Sequence, residues 1–285
     1  MGKRCLPALS AVQPRAGVTF DLPRSAVARW NPAIQARASD DASIGIFEQI
    51  GDDWFGEGVT AKRISAALRS IGGADVTVNI NSPGGDMFEG LAIYNLLREY
   101  EGNVTVNVLG LAASAASLIA MAGDQVHIGR AAFLMIHNCW VVAIGNKADL
   151  RAAADTIEPF DAAMASVYCA RSGLDEKAVA ELMDAETWIG GEQAIEQGFA
   201  DALLAADEIT QKEGGRSASA ARALDVALAR SGMPRSERRR LLNEIKGTPS
   251  AARTGTPSAA EQAATAAATA ELLGVLARLE SAATR

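Results

Sequence analysis

Between residues 43 and 203 the chain switches repeatedly between two hydrophobic periods, and this alternation constrains its fold more than any other feature. "SIGIFEQI" (43–50) reads as a strand, and "TAKRISAALRSI" (60–71) as an amphipathic helix with Ile64, Leu68 and Ile71 on one face. "DVTVNIN" (75–81) is a second strand. "DMFEGLAIYNLLREY" (86–100) is a second helix, with Met87, Leu91, Tyr94 and Leu97 at helical spacing. "VTVNVLG" (104–110) predicts a third strand, followed by a helix in "AASAASLIAMAG" that stops at Gly123. "QVHIG" and "AFLMIHN" predict short strands. Helices follow from Lys147 to about Arg171, over 175–184 and over 191–198. Strands separated by helices of this length need crossover connections, which implies α/β architecture with a largely parallel sheet and helices outside.

The flanking regions differ. Residues 1–40 hold prolines and arginines without sustained periodicity and read as an N-terminal arm. From about residue 206 strand-like runs vanish and Ala, Ser, Thr, Glu and Arg dominate. This composition supports isolated helices over 218–231, 235–246 and 258–282 rather than a full core. "GTPSAARTGTPSA" reads as a linker. The basic run Arg238–Arg240 reads as a solvated helix face, or as a dock for an acidic partner. The expected organisation is an arm (1–40), one α/β domain (41–205) and an Ala-rich helical, partly disordered extension (206–285).

Composition excludes several classes. A net charge of −7 and a pI near 5.0 argue against nucleic-acid binding. Cys5, Cys139 and Cys169 are too few and scattered for a disulfide framework or zinc site. No apolar run approaches the roughly 20 residues of a membrane span, and the start makes a poor signal peptide or myristoylation site. The expectation is a soluble intracellular protein without metal or cofactor.

The chemistry-bearing residues gather around the third predicted strand. "GLAASAASLIAMAGD" (110–124) carries Ser114 and Ser117 in an otherwise apolar, small-residue stretch. Ser114 stands where strand gives way to helix, so its hydroxyl is either an ordinary N-cap or a nucleophile beside unpaired helix amides. Ser117 lies one turn deeper, where a serine usually returns its hydroxyl to the carbonyl four residues back, here Ala113. "INSPGGD" (80–86) joins a strand to a helix. Its Gly84–Gly85 pair makes either a tight turn or half of an oxyanion hole. A serine needs a base, and the chain has two histidines. His127 begins a strand, whereas His137 ends an apolar one, where an imidazole can project from the sheet edge into a cleft. Asp184 and Glu186 in "MDAETWIGGEQAIEQG" could orient an imidazole or simply cap a helix. No histidine pair has metal-ligand spacing.

"INSPGGD", "GLAASAASLIAMAG", "AFLMIHN" and "ETWIGGEQAIEQGFAD" occur in the order and spacing of the Clp protease proteolytic subunit (ClpP-like) family. The chain most resembles the ClpP-related head maturation (prohead) proteases of tailed bacteriophages, from about Ser43 to Leu203. The resemblance implies a crotonase-like fold of repeated ββα-type units, with a projecting handle helix at Lys147–Arg171 and ring-like self-assembly. It implies a nucleophile at Ser114, a base at His137 and an acid at Glu186, with Asp184 as the alternative. Oxyanion-hole amides would fall on Gly85 and Ala115. Asn138 and Cys139 follow the histidine where the family commonly has a polar residue and proline.

The expected function is therefore an ATP-independent serine endopeptidase of phage head maturation. It would cleave scaffold, portal or capsid proteins and itself in the assembling prohead, within the bacterial cytoplasm. The rivals are the proteolytic subunit of an ATP-dependent Clp-type protease, a crotonase-type acyl-CoA enzyme and a catalytically inactive scaffold or shell protein.

Overall fold

The computed structural model describes residues 6, 7, 9, 18–20, 22–36, 42–51, 58–205, 209–211, 224, 228, 238 and 240–242. A seven-stranded sheet organises the α/β region. Its strands are β3 (Ser43–Ile46), β4 (Val76–Ser82), β5 (Val104–Ala113), β6 (Gln125–Gly129), β7 (Phe133–Ile136), β9 (Thr187–Gly190) and β10 (Ala202–Leu204). The order is β10-β6-β5-β4-β3, every pair parallel. β7 joins the far half of β5 in parallel, and β9 closes antiparallel on β7. The predicted, largely parallel α/β fold is the observed one.

The connections follow from local chemistry. Helix α2 (Ala61–Ile71) starts where the Thr60 side chain accepts the Arg63 amide, and ends at Gly72 in the left-handed conformation. Helix α3 (Met87–Glu99) starts where Asp86 accepts the amides of Phe88 and Glu89. Helix α4 (Ala115–Ala120) makes the next crossover. Alternate strand residues build the core. Val76, Val78 and Ile80, Val104, Val106 and Val108, and Val126 and Ile128 all lie in one cluster with Ile64, Leu68, Leu91, Tyr94 and Leu97. Each such side chain contributes roughly 1.5–3 kcal/mol by leaving water. On the opposite sheet face, Asn79, Asn107 and His127 stand in register across β4, β5 and β6.

Helix α5 (Lys147–Ser172) is long and opens on a capping box between Asn146 and Asp149. Its first turns are exposed, whereas Phe160, Met164, Val167 and Tyr168 are buried in the core. Pro159 lies inside it without ending it. Helix α6 (Glu176–Asp184) precedes β9, and α7 (Gly191–Glu196) follows it.

The structure departs from the sequence reading at several places. The strand read over 43–50 ends at Ile46, and Ile50 forms isolated bridges to Val59 and Gly85. The strand read over 104–110 runs on to Ala113, because β7 pairs with residues 111–113. The helix read from the start of "AASAASLIAMAG" therefore begins only at Ala115. Within the arm, β1 (Val18–Phe20) pairs with β8 (Val141–Ala143), and β2 (Ile34–Ala36) pairs with β11 (Ile209–Gln211). Between them lies α1 (Arg24–Arg29). These elements are three to six residues long and depend on partners distant in sequence, so they carry no periodicity of their own.

A second compact unit begins at Leu224. Its described residues, Leu224, Leu228, Arg238, Arg240, Leu241 and Leu242, are helical and fall within the helices expected over 218–231 and 235–246. The helix expected over 258–282 and the linker before it lie outside the described residues. Among the described residues no helix is long and apolar enough to cross a membrane.

Candidate active site

The site forms where β5 exchanges one neighbour for another. Its first half pairs with β6 through Val108, and its last three residues pair with β7 as Leu111↔Phe133, Ala112↔Leu134 and Ala113↔Met135. Ser114 continues that ladder by donating its amide to the Met135 carbonyl at 2.9 Å, then turns the chain into α4 with φ 55° and ψ −126°. A non-glycine residue in this region stores strain of order 1–3 kcal/mol. Among the described residues only Ser114 and Glu186 have positive φ without being glycine.

Small neighbours make the elbow fit. Gly84 has φ +90°, and a Cβ there would lie 2.5 Å from the Ala113 carbonyl oxygen and 2.7 Å from Ser114 Cβ. The "SPGG" turn therefore packs directly on the serine. A Cβ on Gly90 would lie 2.9 Å from that of Ala115. The run of alanines around Ser114 is explained by this close approach of α3 and the glycine turn.

Register brings the candidate base to the candidate nucleophile. Ser114 follows Ala113, which stands opposite Met135, so His137 comes at the end of β7 beside the elbow. His137 Nε2 and Ser114 Oγ are 2.8 Å apart, and both residues are buried. Burial lowers the imidazole pKa below its ordinary value, and the negative charge of Glu186 partly opposes that effect. The ring is thus neutral near pH 7 and can accept the hydroxyl proton. His127 sits on β6 in the Asn79–Asn107 row instead.

The same logic sorts the carboxylates. The β7–β9 register pairs Ile136 with Thr187, so the next step places Glu186 across from His137. Its positive φ of 48° turns the chain there. Asp184 lies farther along, where its Oδ1 accepts the Asn138 side-chain amide at 2.6 Å. Neither carboxylate hydrogen-bonds to His137 among the described contacts. Glu186 Oε1 accepts instead from the Ser25 hydroxyl on α1.

Two groups at the site escaped the sequence reading. Ser25 lies in the arm, on a helix whose Ala26, with Trp30 just beyond it, packs on Leu111, Ala113 and Met135. Asp161, on α5, accepts the Cys139 amide at 2.6 Å and so ties the chain beyond His137 to that helix. Burial pushes the Asp161 carboxyl pKa upward, against the Cys139 amide and thiol, which lower it. Neither "R-S" nor "E-P-F-D" carries a local sequence signal for either role.

The glycine turn lies against the start of α4: a Cβ on Gly84 would lie 3.2 Å from the Ala115 amide nitrogen. Gly84 accepts the Ile50 amide, and Asp86 donates to the Ile50 carbonyl, so the amide of Gly85 between them faces away from Ile50. Gly85 has φ +146°, and a Cβ would lie 2.2 Å from the Ile50 carbonyl oxygen, so only glycine fits. Ala115 is the first residue of α4, where a helix amide lacks an acceptor within the helix. Ser117 is fully buried, and its hydroxyl donates to the Ser114 carbonyl at 2.6 Å, three residues back. The expected partner, Ala113, is still strand.

Residues 30–207 match the family model described as Clp protease. The chain belongs to the Clp protease family. This match spans Gly85, Ser114, Ala115, His137, Asp184 and Glu186, and membership makes the protein serine-peptidase in type. Similar relatives are ATP-dependent Clp protease proteolytic subunits 1. That of Streptomyces avermitilis is 29% identical over 153 residues, covering 51% of this chain and 70% of the relative. That of Prochlorococcus marinus is 29% identical over 151 residues, covering 51% and 77%. The ATP-dependent Clp protease proteolytic subunit of Bacteroides fragilis is 30% identical over 137 residues, covering 46% and 65%.

Proposed function

We propose that the protein is a serine endopeptidase with Ser114 as nucleophile and His137 as general base. The observation that carries this reading is the 2.8 Å approach of His137 Nε2 to a serine hydroxyl held on a strained strand-to-helix elbow. His137 takes the Ser114 proton as Oγ attacks a peptide carbonyl. Glu186, across the strand pair, stabilises the imidazolium that forms. The amides of Gly85 and Ala115 receive the oxyanion. His137 then protonates the leaving amine, and water attacks the acyl-enzyme by the reverse path. Asp184, engaged by Asn138, serves the loop instead.

The finer reading is a protease of phage head maturation that works without ATP, assembles as a ring of copies, and cuts scaffold, portal or capsid proteins and its own extension. Its support is the resemblance of the motifs and the 78 residues beyond the family match, rich in alanine and helix-forming in pattern. The printed names of the relatives favour a second reading, the proteolytic subunit of an ATP-dependent protease.

Nucleotide-free incubation of the purified protein separates these. Intact-mass loss from the extension, absent in Ser114→Ala, is expected of a self-processing maturation protease. Cleavage that appears only with ATP and an added unfoldase would support the second reading. Undiminished cleavage by Ser114→Ala would sink the mechanism itself.

A further inference from the structure

Behind the elbow lies a chain of hydroxyls that the mechanism above does not use. Tyr168, on α5, is completely buried, and its OH lies 2.8 Å from Ser117 Oγ. Ser117 Oγ lies 2.6 Å from the Ser114 carbonyl oxygen. A carbonyl can only accept, so the single Ser117 proton goes to it, and Tyr168 must be the donor to Ser117. The order is fixed: Tyr168 O–H to Ser117 O–H to the Ser114 carbonyl. Burial pushes the Tyr168 phenol well above its ordinary pKa, so it stays protonated as that donor.

The carbonyl at the end of this chain is mechanically special. The Ser114 C=O and the Ala115 N–H belong to one planar peptide unit, so turning one turns the other. The carbonyl also accepts the amides of Ser117 at 2.9 Å and Leu118 at 3.3 Å. We propose that Tyr168 and Ser117 are positioning residues that clamp this peptide plane and thereby aim the Ala115 amide into the oxyanion hole. The proposal rests on the reading of Ser114 as nucleophile.

The far end of the clamp is rigid. Tyr168 packs edge-on against Phe199, with ring centroids 6.2 Å apart. One turn later the buried Arg171 donates to the Gly123 carbonyl at 3.0 Å and the Phe199 carbonyl at 3.3 Å, and pairs with Asp201. The seating of α5, whose first turns stand exposed, is thus transmitted to the direction of one catalytic amide. Filling space alone would be served by phenylalanine and alanine. Two buried hydroxyls placed in series on a strained carbonyl are matched to orientation.

The test uses full-length protein and a fluorophosphonate, whose phosphonyl oxygen occupies the same hole. Ser117→Ala should lower the limiting rate of phosphonylation of Ser114 by about 10- to 100-fold, in the range of a misaimed oxyanion donor. Tyr168→Phe, which keeps its volume, should lower it several-fold. The double variant should be no slower than Ser117→Ala, because both act through one carbonyl. The half-saturating probe concentration and the acid limb of the pH profile should stay in place, since neither binding nor His137 is touched. Hydrogen exchange over residues 114–121 should quicken in both single variants, a readout independent of catalysis. Unchanged exchange overturns the clamp whatever the activity shows. Additive losses, or a shifted acid limb, overturn it also. If exchange quickens but wild-type Ser114 takes no label, the clamp stands and the nucleophile assignment fails.

Discussion

The two halves of β5 differ in almost every respect. From Val104 to Val108 it is a regular central strand, paired in step with β4 and β6 and contributing alternate valines to the core. Beyond Val108 the register against β4 shifts between Ile80 and Ser82, the neighbour on the other side changes to β7, and the strand ends in a positive-φ serine. The regular half is built from propensity and burial. The irregular half violates those preferences at successive positions, and each violation moves a reactive group toward one point. Within one strand, then, stability and chemistry depend on different residues and should be separable by substitution.

The largest separation is expected at the glycine turn. Gly85→Ala would place a Cβ 2.2 Å from the Ile50 carbonyl oxygen and displace the Gly85 amide on the opposite side. Peptidase activity should fall by more than about 10²-fold through loss of one oxyanion donor. Melting should fall as well, because alanine resists positive φ. Wild-type activity in Gly85→Ala would mean that this amide plays no part.

A smaller effect is expected at Glu186. The folded pKa of His137 is depressed, so the unfolded chain binds more protons and the neutral ring's contribution to stability is lost as pH falls from about 6.5 through the folded value. Glu186 opposes that depression. Glu186→Gln should therefore lower the imidazole pKa further, moving the acid limb of kcat/KM to lower pH while reducing the rate about tenfold or more. Asp184→Asn should leave the acid limb in place. If Asp184→Asn moves the limb and Glu186→Gln does not, the two acids exchange roles.

The smallest effect on chemistry belongs to the regular half. Val106→Ala opens space in a fully buried row and should cost about 1–3 kcal/mol in denaturant unfolding. Turnover per folded, active protein should be unchanged. A large loss of kcat there would show that the two halves of β5 are not independent.

Sequence and structure agree where patterns are local and repetitive. The valine-alternating strands, the amphipathic α2 and the capped α3 were all legible, because period and capping residues are written in consecutive positions. Ser114 and His137 were legible as candidates through the small-residue stretch and the end of "AFLMIH", and the structure brings them together. The two acids could not be ranked from composition, since only the antiparallel β7–β9 register sets Glu186 opposite His137. Ser25 and Asp161 were invisible for the same reason: each meets the site across more than 20 residues of chain. The short elements of the arm were missed because pairing, not periodicity, creates them. The Ser117 hydroxyl was expected to return to the Ala113 carbonyl and meets the Ser114 carbonyl instead, because the position at which strand becomes helix is settled by β7.

The most direct measurement is the site of covalent attachment of a fluorophosphonate, mapped by peptide mass spectrometry across the pH range of the His137 titration. One adduct is expected, on Ser114, forming at pH 7 and fading on the acid side below the ordinary histidine value. An adduct on Ser117, or labelling indifferent to replacement of His137, would contradict it.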